Sequence, residues 1–313
     1  MSAVRPTSTD PTMHETFAPC QQATNGVASR AFPGNLSAGF WPVADGSLTA
    51  ELFWGSSMSA KLDNAVGLYL EGIRDGDAAV ALEKYIGGRY TQHSTGVADG
   101  KEGFLAFFTP FLANHPDRDI RVVRAFEDGP YVFVHVYQRL DGGAAEWVTT
   151  DLFDTDANDK IVEHWDVISA FTGSNPSGRT QVDGDTEIKD LHQTQANKAL
   201  VAEFTRVVLQ GGQVDRIADF VSDKLAQHSP ETGDGIVALR HKLATAGKEI
   251  VYRTLFRIVG SGNFVVTYSH VEIGKDEFAV FDIYRLERGL IVEHWDNVEP
   301  IPTPEEAGNS GKF

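Results

Sequence analysis

The chain contains a single cysteine, Cys20, among its 313 residues, so it cannot form an internal disulfide. A chain without disulfides fits a reducing compartment. No apolar run approaches the ~18 residues that a transmembrane helix needs. The N-terminus also lacks the basic and then apolar pattern of a secretory signal. Together these absences predict a cytoplasmic globular protein.

Basic residues are also scarce, since 27 Lys and Arg stand against 44 Asp and Glu and leave a formal net charge of -17. Binding to nucleic acid or to an anionic membrane surface depends on clustered basic residues. Neither is therefore expected as a partner, and the acidity is interpreted as a source of solubility. A glycine-rich phosphate-binding loop is missing as well, and the sequence predicts no cofactor.

Residues 1–58 show no sustained periodicity and are punctuated by proline, serine and glycine. This composition predicts a disordered or loosely docked arm. Two aromatic pairs, Phe40-Trp41 and Phe53-Trp54, are costly to leave in water. They are candidates to attach part of the arm to the folded body.

The pattern after the arm is helical first and then that of strands. Apolar residues recur at helical spacing from Lys61 to Ile86, and again in a wide stripe from Phe104 to Leu112. After Pro116 the period changes to two, and short turns separate the segments, which favours antiparallel hairpins. This order is typical of an α+β domain. The expected strands lie near 119–127, 130–139, 145–154 and 160–168.

The same order occurs twice, so the chain is predicted to be a tandem duplication. Gln92-His93-Ser94 recurs as Gln227-His228-Ser229, and the string IVEHWD at 161–166 recurs at 291–296. The predicted organisation is an arm (1–58), a first domain (59–171), a linker (172–186), a second domain (187–303) and a tail (304–313).

The stretch from Tyr85 to Ile168 contains, in order, the motifs YIGGRYTQHS, DGKEGF, YVFVHV, TTDLF and KIVEHWDVI. In these motifs it resembles the SnoaL-like polyketide-cyclase and aldol-condensation family of the nuclear transport factor 2-like superfamily. The second copy is similar from Phe220 to Val298, but more loosely. The resemblance implies two tandem cone-shaped domains, each with helices packed in a strongly curved, mostly antiparallel sheet around a ligand-sized pocket. Because such domains often pair across their sheets, an intramolecular pseudo-dimer is expected.

Two side chains are the catalytic candidates of the first copy. Asp151 lies in the apolar run TTDLF, where desolvation raises the pKa of a carboxylate and makes it a better base. The family's general base matches this position, and Asp282 matches it in the second copy. His135, in VFVHV, is predicted to donate a hydrogen bond to an enolate oxygen, and Tyr268 aligns with it. The alternative is an inert carboxylate and a core histidine that is satisfied by a neighbour.

Further pocket candidates come from the repeated motifs. In EHWD, Glu163 and Trp165 share one face of a strand, and His164 and Asp166 share the other, so the strand either lines the pocket or simply packs. Two same-face ligands without a His-x-x-x-His helix or a Cys pair predict no metal site. His93 and His228 are expected near the pocket mouth or in loop packing. The set of further candidates is His93, His164, Trp165, Asp166, His228, Tyr268, Asp282 and Trp295.

Two functions of different kinds remain open at this point. In the first, Asp151 removes a proton next to the carbonyl of a small apolar compound, and an aldol-type cyclisation or an isomerisation follows. The first copy is expected to be the active one. Epoxide hydrolysis by Asp151 and Asp166 with Arg121 and Arg124 ranks below this chemistry. In the second, the body is a non-catalytic small-ligand-binding protein or a scaffold, and further oligomerisation is open.

Overall fold

The computed structural model describes residues 59–245 and 250–313. The predicted arm and its aromatic pairs lie outside the described residues. All described residues belong to one compact unit, Trp54–Phe313. Within them, no helix combines the length and the apolar character that crossing a membrane requires.

The first half places three helices against a five-stranded sheet. Its sheet has the order β1-β5-β4-β3-β2, in which β1 runs parallel to β5 and the other neighbours are antiparallel. Ser59 caps the first helix, because its side chain accepts a hydrogen bond from Leu62 N–H. The elements are α1 (Ala60–Gly67) with a π-helical continuation (Leu68–Arg74), α2 (Ala78–Tyr85), β1 (Ile86–Gln92), α3 (Gly100–Asn114), β2 (Arg118–Asp128), β3 (Tyr131–Leu140), β4 (Ala145–Thr155) and β5 (Ile161–Ala170).

The second half repeats this arrangement with the sheet order β6-β10-β9-β8-β7, in which β6 is parallel to β10. Two mixed sheets with helices confirm the predicted α+β class, and their identical strand order fits a tandem duplication. The elements are α4 (Thr194–Phe204) with a π-helical continuation (Thr205–Gln210), β6 (Val221–Gln227), α5 (Ile236–Thr245), β7 (Ile250–Ser261), β8 (Phe264–Ile273), β9 (Asp276–Glu287), β10 (Leu290–Pro300) and α6 (Pro304–Ala307).

Three apolar clusters stabilise the unit, and the face of the sheet on which a strand residue lies determines which of them its side chain can join. Val132, Val134 and Val136 pack with the helices of the first half. A second cluster joins α4 and α5 to the second sheet. Phe133, one residue away from two of the valines, belongs to a third cluster that lies between the two sheets and includes Trp165. Alternate residues of a strand therefore serve different cores.

The segment that follows each closing strand crosses to the other sheet. Asn175, after β5, donates to the main-chain oxygen of Gln227, and Asn309, after β10, donates to that of Ser94. Each asparagine Oδ1 also accepts a main-chain N–H two residues further on, so the two segments form the same type of turn. Together these contacts tie the tail to the first copy and the linker to the second.

Candidate functional site

The strand register sends a group of polar side chains into the interior of each half. Asp151 lies opposite Val134 on β3 and opposite Asp166 on β5. Since Val134 packs against the helices, both carboxylates face the same helix-covered interior. His164 shares this face, whereas Trp165 faces the cluster between the sheets.

Asp151 is the most enclosed carboxylate of the first half, with 0% of its surface exposed. Its Oδ1 accepts a hydrogen bond from Tyr69 OH at 2.7 Å and lies 2.9 Å from His164 Nε2. His164 Nδ1 in turn lies 3.0 Å from Gln92 Oε1. Burial raises the pKa of Asp151, although His164 and Tyr69 act in the opposite direction. Its Oδ2 has no hydrogen-bond partner within the described part of the chain.

A lysine from the tail balances the second carboxylate. Lys312 Nζ donates to Asp166 Oδ1 at 3.1 Å and to Glu299 Oε2 at 2.8 Å, and its side chain is 1% exposed. Burial opposes ionisation of Asp166, but its favourable contacts, led by that with the Lys312 ammonium, together more than offset this and hold its pKa below the usual value. Asp151, His164 and Asp166 bring three atoms that could bind a metal within 4.8 Å of one another. The sequence predicted only two such ligands on this face, His164 and Asp166. Because Asp166 is already in this ion pair, we assign no metal to the group.

The second copy repeats the carboxylate–imidazole pair. Asp282 Oδ1 lies 2.9 Å from His294 Nε2, and His294 Nδ1 lies 3.0 Å from Gln227 Oε1. The tyrosine differs in origin, because Tyr252 on β7 takes the place of Tyr69 and donates to Asp282 Oδ2 at 3.1 Å. Burial raises the pKa of Tyr252 well above its usual value, so its hydroxyl keeps the proton that it donates.

The lysine also differs between the copies. Lys242 on α5 donates to Asp296 Oδ2 at 2.9 Å and to Ser229 Oγ at 2.8 Å. Burial lowers the pKa of Lys242, but the nearby carboxylates, chiefly that of Asp296, together more than offset this, so the ammonium is retained. Its side chain is 31% exposed, whereas Lys312 is enclosed. The two lysines thus differ in enclosure, although each ammonium contacts a buried aspartate.

A cavity of about 40 Å³ adjoins this second group. It is large enough for a few water molecules. The repeat explains why space opens here, because four aromatic residues of the first copy are replaced by three leucines and a lysine. Tyr90, Phe104, Phe107 and Phe108 correspond to Leu225, Leu239, Lys242 and Leu243. The cavity is lined by Phe204, Leu209, Val221, Leu225, Leu239, Lys242, Leu243, Ile250, Tyr252, Asp282, Tyr284, Ile291, His294 and Asp296.

The predicted pairing of His135 with Asp151 is wrong. His135 lies opposite Thr150, one residue from Asp151, so the two side chains point to opposite faces of the sheet. His135 Nδ1 instead lies 2.8 Å from Arg124 Nη1, on the side that faces the second sheet. Burial lowers the pKa of His135 well below its ordinary value, so it stays neutral there.

Tyr268, which aligns with His135, also lies outside the interior of its copy. Its ring stacks on Phe281 with the centroids 4.3 Å apart, and its hydroxyl donates to the main-chain oxygen of Lys312 at 2.6 Å. Both residues belong to the packing between the sheets. The pocket role predicted for Tyr268 is therefore contradicted.

The two histidines of the QHS motifs pack on the two tryptophans. His93 stacks on Trp165 at 5.0 Å, and His228 stacks on Trp295 at 4.5 Å. His93 Nε2 also lies 3.0 Å from Glu163 Oε1. All four rings lie on the side of their sheets that faces the other copy. The loop-packing alternative therefore describes the two histidines, the core-packing alternative describes the two tryptophans, and the predicted pocket role describes neither pair.

The arginines of the epoxide-hydrolase alternative do not reach Asp151. Arg124 lies over the Trp295 ring at 4.2 Å, and Arg121 lies over the Tyr137 ring at 4.6 Å. The arrangement of two carboxylates and an arginine that this chemistry needs is therefore not formed by these side chains.

Sequence reasoning missed several members of the group. Gln92 and Gln227 stand inside the repeated QHS motif, and their repetition is a signal that would have revealed them. Tyr252, Lys242 and Lys312 have no counterpart of the same type at the matching position, so no repeat marks them. They reach the site only through the folding of distant elements.

Residues 66–164 match the SnoaL-like domain family. A "putative ketosteroid isomerase" from Kribbella flavida is 14% identical, over 36% of this chain and 84% of that one, with a TM-score of 0.33. IdmH, a "putative polyketide cyclase" from Streptomyces antibioticus, is 23% identical over 36% and 93%, with a TM-score of 0.31. A LEH-like epoxide hydrolase of M. tuberculosis is 19% identical over 34% and 85%, with a TM-score of 0.29. No curated protein matches the chain.

Proposed function

We propose that the chain is an enzyme that moves a proton on a small, largely apolar carbonyl compound, without a cofactor, in the cavity of the second copy. The observation that supports this most is the Asp282–His294 pair in the wall of a cavity whose lining is otherwise mostly apolar. Few polar groups in an apolar concave site are the usual composition of a ligand site. Since the sequence favoured the first copy, this proposal moves the reaction to the second.

Two of the polar groups in the cavity wall act directly in this reaction, Asp282 and Lys242. Asp282 takes a proton from the carbon next to the carbonyl, and the electron pair moves to the carbonyl oxygen as an enolate. Lys242 stabilises that oxygen with its positive charge and with a hydrogen bond. Its ammonium has three N–H donors, and within the described chain two of them are used by Ser229 and Asp296, so the third is available to the substrate. Lys242 replaces His135 in this role. Returning the proton to another carbon gives an isomerisation, and attack of the enolate carbon on a second carbonyl gives an aldol-type closure.

The size of the cavity limits the substrate. A volume of about 40 Å³ holds a few water molecules, so a ring compound requires Leu239 and Leu243 on α5 to move. The first copy, with the aromatic rings of Tyr90 and Phe104 in its core, is assigned a structural role.

The test is exchange of solvent deuterium into a panel of small enolisable ketones, measured by NMR with the full-length protein. Asp282→Asn should lower the exchange rate by about 10²–10⁴-fold, which is the usual contribution of a general base. The matched variant Asp151→Asn should retain the rate. Equal rates for wild type and Asp282→Asn would remove Asp282 as the base.

The second candidate function is a non-catalytic small-ligand-binding or scaffold protein. The enclosed carboxylate of the first copy and the small volume of the second cavity favour it. Binding of a ketone that shifts the Lys242 and His294 NMR signals, without any exchange of deuterium, would support this function over the enzyme.

A further inference from the structure

We propose that Gln227 is a positioning residue that holds a proton on His294 Nδ1 and thereby makes the Asp282–His294 pair share a further proton. The proposal starts from one main-chain contact. Ser229 N–H lies 3.0 Å from Gln227 Oε1 and donates to it. This contact determines which way the Gln227 amide faces.

The orientation of a glutamine amide has to be assigned from its hydrogen bonds. A main-chain N–H can only donate, so the Gln227 atom beside Ser229 N–H is the oxygen. Turning the amide over would place its NH₂ group against that donor. In the orientation found, Gln227 Nε2 is buried and has no partner among the described residues, which is the cost of keeping the oxygen in place.

The same oxygen determines the state of the imidazole. His294 Nδ1 lies 3.0 Å from Gln227 Oε1, so this nitrogen carries a hydrogen and donates it. The other ring nitrogen lies 2.9 Å from Asp282 Oδ1. A bare nitrogen lone pair facing a carboxylate oxygen would be repulsive, so a second proton lies between these two atoms. The pair therefore holds one proton more than a neutral histidine beside an ionised aspartate.

The surroundings of the pair are compatible with this proton. Tyr252 donates to Asp282, and the Tyr284 ring covers the imidazole with its centroid 5.0 Å away. The neighbouring carboxylate of Asp296 is balanced by Lys242 at 2.9 Å. The pair is thus overall neutral inside an enclosed site, which costs less than an unpaired charge.

The inference deepens the proposed function and rests on it only for the catalytic consequence. An imidazolium beside Asp282 leaves the carboxylate able to accept a proton from substrate, while the shared proton remains available for return to product. The first copy has the corresponding contact, with Gln92 Oε1 3.0 Å from His164 Nδ1, and provides an internal control.

The test is long-range ¹H–¹⁵N NMR of the imidazole rings in the full-length protein at about pH 8.5, well above the ordinary pKa of histidine. His294→Gln identifies the His294 signals. In the wild type, His294 Nδ1 should remain protonated. In Gln227→Leu the Nδ1 proton should be lost to solvent, which leaves a neutral imidazole whose Nε2–H donates to ionised Asp282, while Gln227→Glu should retain the Nδ1 proton because it keeps an acceptor.

The His164 signals should be the same in every Gln227 variant. An unprotonated His294 Nδ1 in the wild type, or a protonated one in Gln227→Leu, would overturn the proposal. If Gln227→Leu does not fold, the wild-type spectrum and Gln227→Glu still decide it. No substrate is needed, so a protein that catalyses no deuterium exchange but shows the expected Nδ1 signal would refute the enzyme and leave this inference standing.

Discussion

Filling the cavity of the second copy should raise the free energy of unfolding and lower the rate of deuterium exchange. Leu239 on α5 lines the cavity, and Phe104 stands at the matching position of the first copy. The substitution Leu239→Phe therefore installs a side chain that the same fold already accommodates. The cavity volume of about 40 Å³ sets the size of the effect.

At about 24 cal/mol per Å³, a cavity of this size costs at most about 1 kcal/mol. Leu239→Phe should thus raise the free energy of unfolding by up to about 1 kcal/mol, or Tm by roughly 2–4 °C. The added ring occupies the space beside Asp282, so deuterium exchange into ketones should fall by at least about tenfold, in line with displacement of a small ligand. Urea denaturation and the exchange assay measure the two effects in the same preparation.

The reciprocal variant Phe104→Leu is the matched control. It opens space in the core of the first copy and should lower stability without changing the exchange rate. If Leu239→Phe retains full exchange, the reaction does not occur in this cavity. If it loses stability by 1–3 kcal/mol instead, the site is already fully packed, and the volume argument fails.

Two further predictions concern the buried charges. Lys312→Met leaves Asp166 and Glu299 without their ammonium and should cost about 3–5 kcal/mol in urea unfolding at neutral pH. Lys242→Met, at a partly exposed lysine, should cost less, and an equal loss would contradict the reasoning. Burial raises the folded-state pKa of Asp151. The contribution of this group to the free energy of unfolding is therefore fully present below its unfolded-state pKa of about 3.9, and it is lost as the pH rises through the folded-state pKa. Asp151→Asn should flatten the fall in stability above about pH 4, and parallel pH curves would refute this.

Much of the fold could be predicted from local patterns. Period-two segments such as 130–139 correspond to real strands because alternate apolar residues, here Val132, Val134 and Val136, pack into one core. The parallel strands β1 and β6 were missed. Their sequences, IGGRYTQ and VSDKLAQ, contain glycine or charged residues and alternate poorly, since two successive residues in the middle of each strand are exposed.

The site was predicted only in part. Asp151, Asp282, His164 and Asp166 were among the candidates because they are polar residues in apolar or repeated strings. His135 was assigned to the wrong face. Alternation shows which residues of a single strand share a face, but it does not show how two separate strands are aligned. It therefore could not show whether His135 and Asp151 lie on the same face of the sheet.

The sequence by itself determined the doubled α+β architecture and the residue types of the carboxylate–imidazole pairs, because periodicity and repetition are local properties of a chain. The tertiary structure alone decided which face of each sheet meets the helices and which meets the other copy. It also placed a cavity beside Asp282 and decided which lysine neutralises each acidic group. These features depend on strand register and on contacts between residues as far apart as Asp166 and Lys312, and no local pattern encodes such contacts.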